Sequence, residues 1–273
     1  MTADVVQLET VRPALLGADD PPPFEVVNAD GRARVVLFCD HASYRVPAAL
    51  DGLGLDGAVI KRHIGWDIGA ADVTRRLAAL LDAPAVLAGY SRLVIDCNRP
   101  AGEASSIPRV SDGVEVPGNR VLGADDLAAR RAACFTPYHE AVDETIARVE
   151  ARHGGPAAVI SMHSFTPVMD GYERPWHVGI LWHEDGRMPV PVIAALAADP
   201  SISVGDNQPY SGRVPVPYSI PAHALPRDRP HVTVEIRQDL IDTHHGAEAW
   251  ANIMAAAFAG PLADPAIYRA AGG

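Results

Sequence analysis

Apolar residues recur along this chain in short continuous runs separated by helical patterns. Arg34-Val-Val-Leu-Phe-Cys39 is a β-branched run of buried-strand type, and Ala85 to Ala88, Leu93-Val-Ile95, Ala157-Ala-Val-Ile-Ser161, Val178-Gly-Ile-Leu-Trp182 and Val232-Thr-Val-Glu-Ile236 read the same way. Between them, residues 67 to 82 place Ile68, Ala71, Val73, Leu77, Leu80 and Leu81 at helical spacing, with Asp67 where an N-cap stands. Asp125 to His153 is the longest helical stretch, and Pro137 inside it predicts two helices or a kink. Pro191 to Ala198 predicts a short helix and Ala247 to Ala259 a terminal one. Strands alternate with helices, and most strands are continuous apolar runs. That predicts an α/β fold with a mixed, mainly parallel sheet and helices on both faces.

The remaining segments lack this periodicity. Residues 1 to 30 carry Pro13, Pro21, Pro22 and Pro23 and read as an extended N-terminal arm, leaving 31 to 273 as a single domain. Residues 100 to 123 and 205 to 230 are rich in Gly and Pro and read as two long loops, a feature often tied to function in compact domains. A chain of 273 residues is long enough for one large core. The net charge of −11 argues against nucleic acid as a partner, because phosphate-backbone binding needs clustered Lys and Arg. It leaves room for a small anionic substrate held by a few local arginines. Three cysteines make no disulfide framework, Met1 to Leu16 has no signal-peptide pattern, and no run of about 18 apolar residues occurs. A cytoplasmic protein without a membrane partner is the expectation.

In open α/β sheets ligands bind beyond the carboxyl ends of the strands. Those ends here carry Asp40-His41-Ala-Ser43, Asp96-Cys-Asn98-Arg99, Ser161-Met-His163-Ser164 and Glu235-Ile-Arg237. Histidine and carboxylate gathered from several strands suit zinc, which takes three protein ligands and keeps a position for water in catalytic sites. A further carboxylate could move protons, and arginines could pair with substrate carboxylates. Each residue also has a plainer reading. Asp67 as a helix N-cap, Glu235 in an ion pair with Arg237, and Asp96 paired with Arg92 or Arg99 are all open. His139 reads as surface or core, and His244-His245 as a solvated turn at a helix start. Cys39 and Cys97 read as small buried hydrophobes, since apolar flanks raise a thiol pKa. Ser43 and Ser164 lack the GxSxG elbow, and neither GxxxxGK[ST] nor GxGxxG occurs.

Six fragments follow one another in order: Asp40-His41-Ala-Ser, His63-Ile-Gly-Trp-Asp67-Ile-Gly-Ala, Ser91-Arg92-Leu-Val-Ile-Asp96-Cys-Asn98-Arg99, Ser161-Met-His163-Ser-Phe, Asn207-Gln-Pro-Tyr-Ser-Gly212 and Val234-Glu235-Ile-Arg237-Gln-Asp-Leu. Together they resemble the N-formylglutamate amidohydrolase family, from about residue 34 to residue 258. The resemblance implies a phosphorylase/hydrolase-like three-layer α/β/α sandwich, similar to zinc carboxypeptidases and aspartoacylases. It implies zinc-dependent hydrolysis of the amide of an N-formyl or other N-acyl amino acid, a small anionic substrate. His41, Asp67 and His163 are then the metal ligands, with His63 as the substitute for Asp67. Glu235 is the general base and then the general acid. Arg92, Asn98, Arg99 and Arg237 are candidates for substrate carboxylates or the oxyanion, and Tyr210 and Gly212 line the pocket. Asp40, His63, Asp96 and Ser164 are expected to support this set. The alternatives are a related deacylase or peptidase of the same metal class, and a non-catalytic metabolite-binding relative.

Overall fold

The computed structural model describes residues 15–213 and 217–270. Eleven strands occur in it: β1 (Phe24–Val27), β2 (Val35–Cys39), β3 (Ala85–Ala88), β4 (Val110–Ser111), β5 (Val114–Glu115), β6 (Ala158–Phe165), β7 (Val168–Met169), β8 (Tyr172–Glu173), β9 (Val178–Leu181), β10 (Val204–Asp206) and β11 (His231–Arg237). The helices are α1 (Gly57–Ile60), α2 (Ala70–Leu80), α3 (Ala124–Arg130), α4 (Thr136–His153), α5 (Pro189–Ala197), α6 (Ser219–His223) and α7 (His244–Ala263). Seven strands form one sheet in the order β1-β3-β2-β6-β11-β9-β10, and β4–β5 and β7–β8 are small separate hairpins. The pairs β3–β2, β2–β6, β6–β11 and β9–β10 are parallel, and β1–β3 and β11–β9 are antiparallel. The mixed, mainly parallel α/β sheet read from the sequence is the sheet observed.

The two-residue period of a strand sorts side chains between the two faces. Val35, Leu37, Ala158, Ile160, Met162, Val232, Val234 and Ile236 bury one face with α2, α5 and α7. Val36, Phe38, Val86 and Val159 bury the other with Tyr138, Val142, Ile146 and Val149 of α4. The alternate positions further along β6 and β11 are polar: Ser161 and His163 on one strand, Thr233 and Glu235 on its neighbour. Glu235 pairs in register with His163, so the two share the α4-side face. The apolar layer gives out there, and the site begins.

Several expectations need correction. Leu93-Val-Ile95 is a buried turn, not a strand. The Ser91 hydroxyl accepts from Leu93 N at 3.1 Å and donates to Gly65 O at 2.7 Å, and this local bonding competes with extension. Phe24–Val27, inside the expected arm, is the sheet's edge strand; residues 1–14 of that arm lie outside the described residues. The 100–123 loop holds the β4–β5 hairpin. The 205–230 loop holds α6, and its residues 214–216 lie outside the described residues. The break expected near Pro137 is a π-helical turn, Arg131–Phe135, that joins α3 to α4 with the backbone helical throughout, just before the point where Pro137 lacks the N–H that would continue the ladder. No described helix is long and apolar enough to cross a membrane.

Candidate active site

Asp67 is placed by the glycine that follows it two residues on. Gly69, at φ 79°, caps α2, and a Cβ there would lie 2.2 Å from Ile241 O. With the cap position moved to Gly69, the Asp67 carboxylate is free to turn into the site. It does so fully: Asp67 Oδ2 lies 3.3 Å from His41 Nδ1 and 2.8 Å from His163 Nδ1, and accepts from Ser164 N at 3.3 Å. The N-cap reading of Asp67 is thereby replaced.

Each imidazole is backed on its far side by another carboxylate. His41 Nε2 is 2.7 Å from Asp96 Oδ1, and His163 Nε2 is 3.4 Å from Asp40 Oδ2. Such backing accepts the Nε2 proton's hydrogen bond and leaves Nδ1 facing the centre, where it donates to Asp67 and would offer its lone pair to a bound cation. Asp40 is in turn held by Tyr138 and Ser219, whose hydroxyls both donate to Oδ1 at 2.8 Å. Asp96 accepts from Arg92 at 2.9 Å and from Asn98 N at 2.8 Å. Arg92 also reaches Asp67 Oδ1 at 3.4 Å. The Asn98 side-chain oxygen accepts from Tyr218 N and Ser219 N, both at 3.0 Å, tying the Asp96–Arg99 turn to α6.

Electrostatics follow from this packing. Burial and Arg92 pull His41 down, but Asp96 and Asp67 outweigh them and its pKa is raised. Burial likewise opposes the charged form of His163, and its bonds to Asp40 and Asp67 hold it well above the ordinary range. Asp67 and Asp96 are lowered: burial raises both, and is overcome by His41 and His163 for the first and by Arg92 and His41 for the second. Glu235 behaves oppositely. It is 7% exposed, and burial pushes it up to about 7, against the pull of His163. Its Oε2 is buried with no hydrogen-bond partner among the described residues. The alternative reading of Glu235, an ion pair with Arg237, is not what forms, because Arg237 donates to Asp239 at 2.8 Å and 3.2 Å.

The ligand atoms of His41, Asp67 and His163 all lie within 4.8 Å of one another. Two atoms at about 2.0 to 2.2 Å from one tetrahedral zinc stand about 3.4 Å apart, so a divalent cation fits with small adjustments. Two imidazole nitrogens and a carboxylate oxygen are also donors that zinc accepts. His63 lies outside this group, 3.2 Å from Asp112 in a neighbouring cleft, and so does not replace Asp67.

Around the group is a cavity of about 520 Å³ whose lining includes Asn98, Arg99, Ser164, Tyr210 and Glu235. A second cleft of about 720 Å³ shares Asp67, Arg92, Arg99, Ser164 and Tyr210 with it. Arg237 lines neither, and Arg92 is already committed to two carboxylates. Arg99 donates to Asn98 O at 2.8 Å and has no carboxylate partner among the described residues. Tyr210 sits on a loop clamped to β9: Asn207 Oδ1 accepts from Trp182 N and Gly212 N at 3.0 Å each. His139 is a core residue of α4, and His244 opens α7 in solvent. Burial, with nearby Asp67 and Asp40, raises the Cys39 thiol, and burial raises Cys97, so neither is a ready nucleophile. Tyr138 and Ser219 were not legible as site residues, since no local pattern distinguishes them.

The family model for N-formylglutamate amidohydrolase matches residues 33–242. The crystal structure of gene product Atu2144 from Agrobacterium tumefaciens is 34% identical, with a TM-score of 0.85 over 91% of this chain and 98% of that one. N-formylglutamate amidohydrolase from Ralstonia eutropha JMP134 is 15% identical, with a TM-score of 0.65 over 89% of this chain and 97% of that one, a likeness of fold. Among the curated proteins none matches.

Proposed function

The chain belongs to the N-formylglutamate amidohydrolase family, and from that premise we propose that it hydrolyses the amide of an N-formyl or other N-acyl amino acid at the His41–Asp67–His163 site. The observation that carries the reading is the convergence of two carboxylate-backed imidazoles on Asp67, with an unpartnered Glu235 oxygen in the same cavity. A network of ion pairs serving stability alone accounts for the first feature. It does not account for the second, because a buried carboxylate without a partner is costly.

His41, Asp67 and His163 would hold one divalent cation, with zinc the choice that the donor set favours. When bound, such a cation supplies Lewis acidity, polarising a carbonyl and making water more acidic. Glu235 takes a proton from the attacking water, whose oxygen bonds to the acyl carbon. It then returns that proton to the amine nitrogen as the C–N bond breaks. A group poised near neutral pH suits both transfers. Asp40 and Asp96 keep the two rings oriented. Arg99, with no carboxylate partner among the described residues, is available to a substrate carboxylate, and Asn98 borders the same space.

The test has two parts. Metal content is measured on protein purified without added metal, for the wild type and His163→Ala. About one equivalent in the wild type, lost in the variant, is expected for a three-ligand site. The wild type is then offered a panel of N-formyl and other N-acyl amino acids, with products identified. No metal, even after zinc is added, would remove the ligand assignment. Metal without turnover would favour a binding protein.

A further inference from the structure

Arg174 follows the β7–β8 hairpin and is 8% exposed, yet it has no carboxylate within ion-pair distance among the described residues. Its Nη1 donates to Thr166 O at 3.2 Å and to the Tyr210 hydroxyl at 3.1 Å. The guanidinium also lies 4.9 Å from the Tyr210 ring centre and 5.8 Å from that of Phe165. A buried cation whose partners are a carbonyl and a phenol needs a reason, and the chemistry of the hydroxyl supplies it. Guanidinium only donates, whereas a phenol has one proton and accepting lone pairs. Arg174 therefore occupies an accepting position on the Tyr210 oxygen and turns the phenolic proton away from itself.

That proton has no acceptor among the described residues, and Tyr210 lines the cavity that contains His41, Asp67, His163 and Glu235. Burial and the neighbouring Glu235 charge push the phenol up, with Arg174 acting in the opposite direction, so it keeps its proton at neutral pH. A donor whose oxygen already accepts from a cation is a stronger donor, because hydrogen bonds in a chain polarise one another.

We propose that Tyr210 is a catalytic hydrogen-bond donor to the substrate's acyl oxygen as that oxygen gains negative charge, and that Arg174 is the positioning residue that makes it one. The inference rests on the amide-hydrolysis reading of the same site. It gives the cavity a donor aimed in advance at developing charge, which is where such donors accelerate reactions most. It also accounts for a buried arginine that lines neither cavity and pairs with no acid among the described residues.

The experiment compares the wild type, Tyr210→Phe, Arg174→Met, Arg174→Lys and the Tyr210→Phe/Arg174→Met double variant, each as the full chain. With an N-acyl amino acid that the wild type cleaves, Tyr210→Phe should lower kcat about 100-fold while KM changes less than about twofold. Arg174→Met should reproduce most of that loss, yet add less than about twofold in the Tyr210→Phe background. Arg174→Lys, which keeps a donor and folds more conservatively, should recover part of the rate. Additive losses, or a change in KM alone, would overturn the proposal while leaving hydrolysis itself intact. Phenol absorbance needs no turnover: each protein is titrated against its Tyr210→Phe counterpart to isolate this one tyrosine. The Tyr210 midpoint should rise in Arg174→Met, and an unchanged midpoint would dissolve the pair. A wild type that cleaves nothing would instead mark failure of the hydrolysis reading, and the catalytic role would go with it.

Discussion

Asp67 meets both imidazoles, the Ser164 amide and Arg92 with two oxygens, whereas Glu235 meets none of them through Oε2. That difference in environment separates the two carboxylates chemically. The first stays ionised and is suited to holding a cation. The second, pushed up to about 7 by burial, is suited to moving a proton. Glu235→Gln preserves shape and removes that capacity. Its kcat should fall by about 10³, within the usual range for a general acid–base group, with metal content unchanged. A rate within about tenfold of the wild type would take Glu235 out of proton transfer. His163 and Glu235 were legible in the sequence because they interrupt apolar strand runs, and His41 because it closely follows one. Arg237 looked equivalent and is not, since its partner Asp239 lies two residues on in a turn whose geometry the strand pattern does not specify.

At the scale of elements, the site depends on a loop laid against a strand. Gly179 of β9 lies under the 207–212 loop, and a Cβ there would stand 2.0 Å from Gln208 O. Gly179→Ala must lift the loop that presents Tyr210. Activity should drop at least about tenfold, since small misplacements in a site are costly, while the seven-stranded sheet persists. The check is kcat beside the far-ultraviolet dichroism spectrum. Wild-type kcat in a folded variant would mean that the loop tolerates the shift. The glycine itself was visible in Val178-Gly-Ile-Leu, but its purpose was not. The Leu93–Ile95 turn shows the converse limit: its β-branched residues fit a strand, and the Ser91 hydroxyl bonded to Gly65 O directed the chain otherwise. Helix α6 was invisible for a related reason, being a short helix whose value lies in bringing Ser219 to Asp40 across 179 residues of sequence.

For the molecule as a whole, pH tests how α4 and α6 are joined. His139 Nε2 is 2.9 Å from Cys97 O, its Nδ1 is 2.8 Å from His223 Nε2, and His223 Nδ1 is 2.8 Å from Asp143. Burial lowers His139 to about 4 from its ordinary 6.5. Between those values the unfolded chain binds a proton that the folded chain refuses, so stability falls as pH drops through this window. The full loss is about 3 kcal/mol. Glu235, raised in the folded state, gives the opposite slope between its ordinary 4.5 and about 7, so the wild type alone mixes the two. The difference between the wild type and His139→Gln isolates the histidine. Denaturation midpoints of the two should converge from pH 6.5 to pH 4, and a constant gap would show that His139 is not the titrating group.

By itself the sequence determined the alternation of strands and helices, the mainly parallel character of the sheet, the strands that carry His163 and Glu235, and the strand that leads into His41. These follow from periodicity and side-chain chemistry, which act over a few residues. Only the tertiary structure decided that Asp67 faces the histidines, that His63 does not, that Arg92 is consumed by two carboxylates, and that Arg174 donates to Tyr210. Each of these is a choice of partner among groups of similar chemistry. Such choices depend on where the folded backbone puts distant residues, on sub-ångström distances and on the exclusion of water, none of which a local pattern contains.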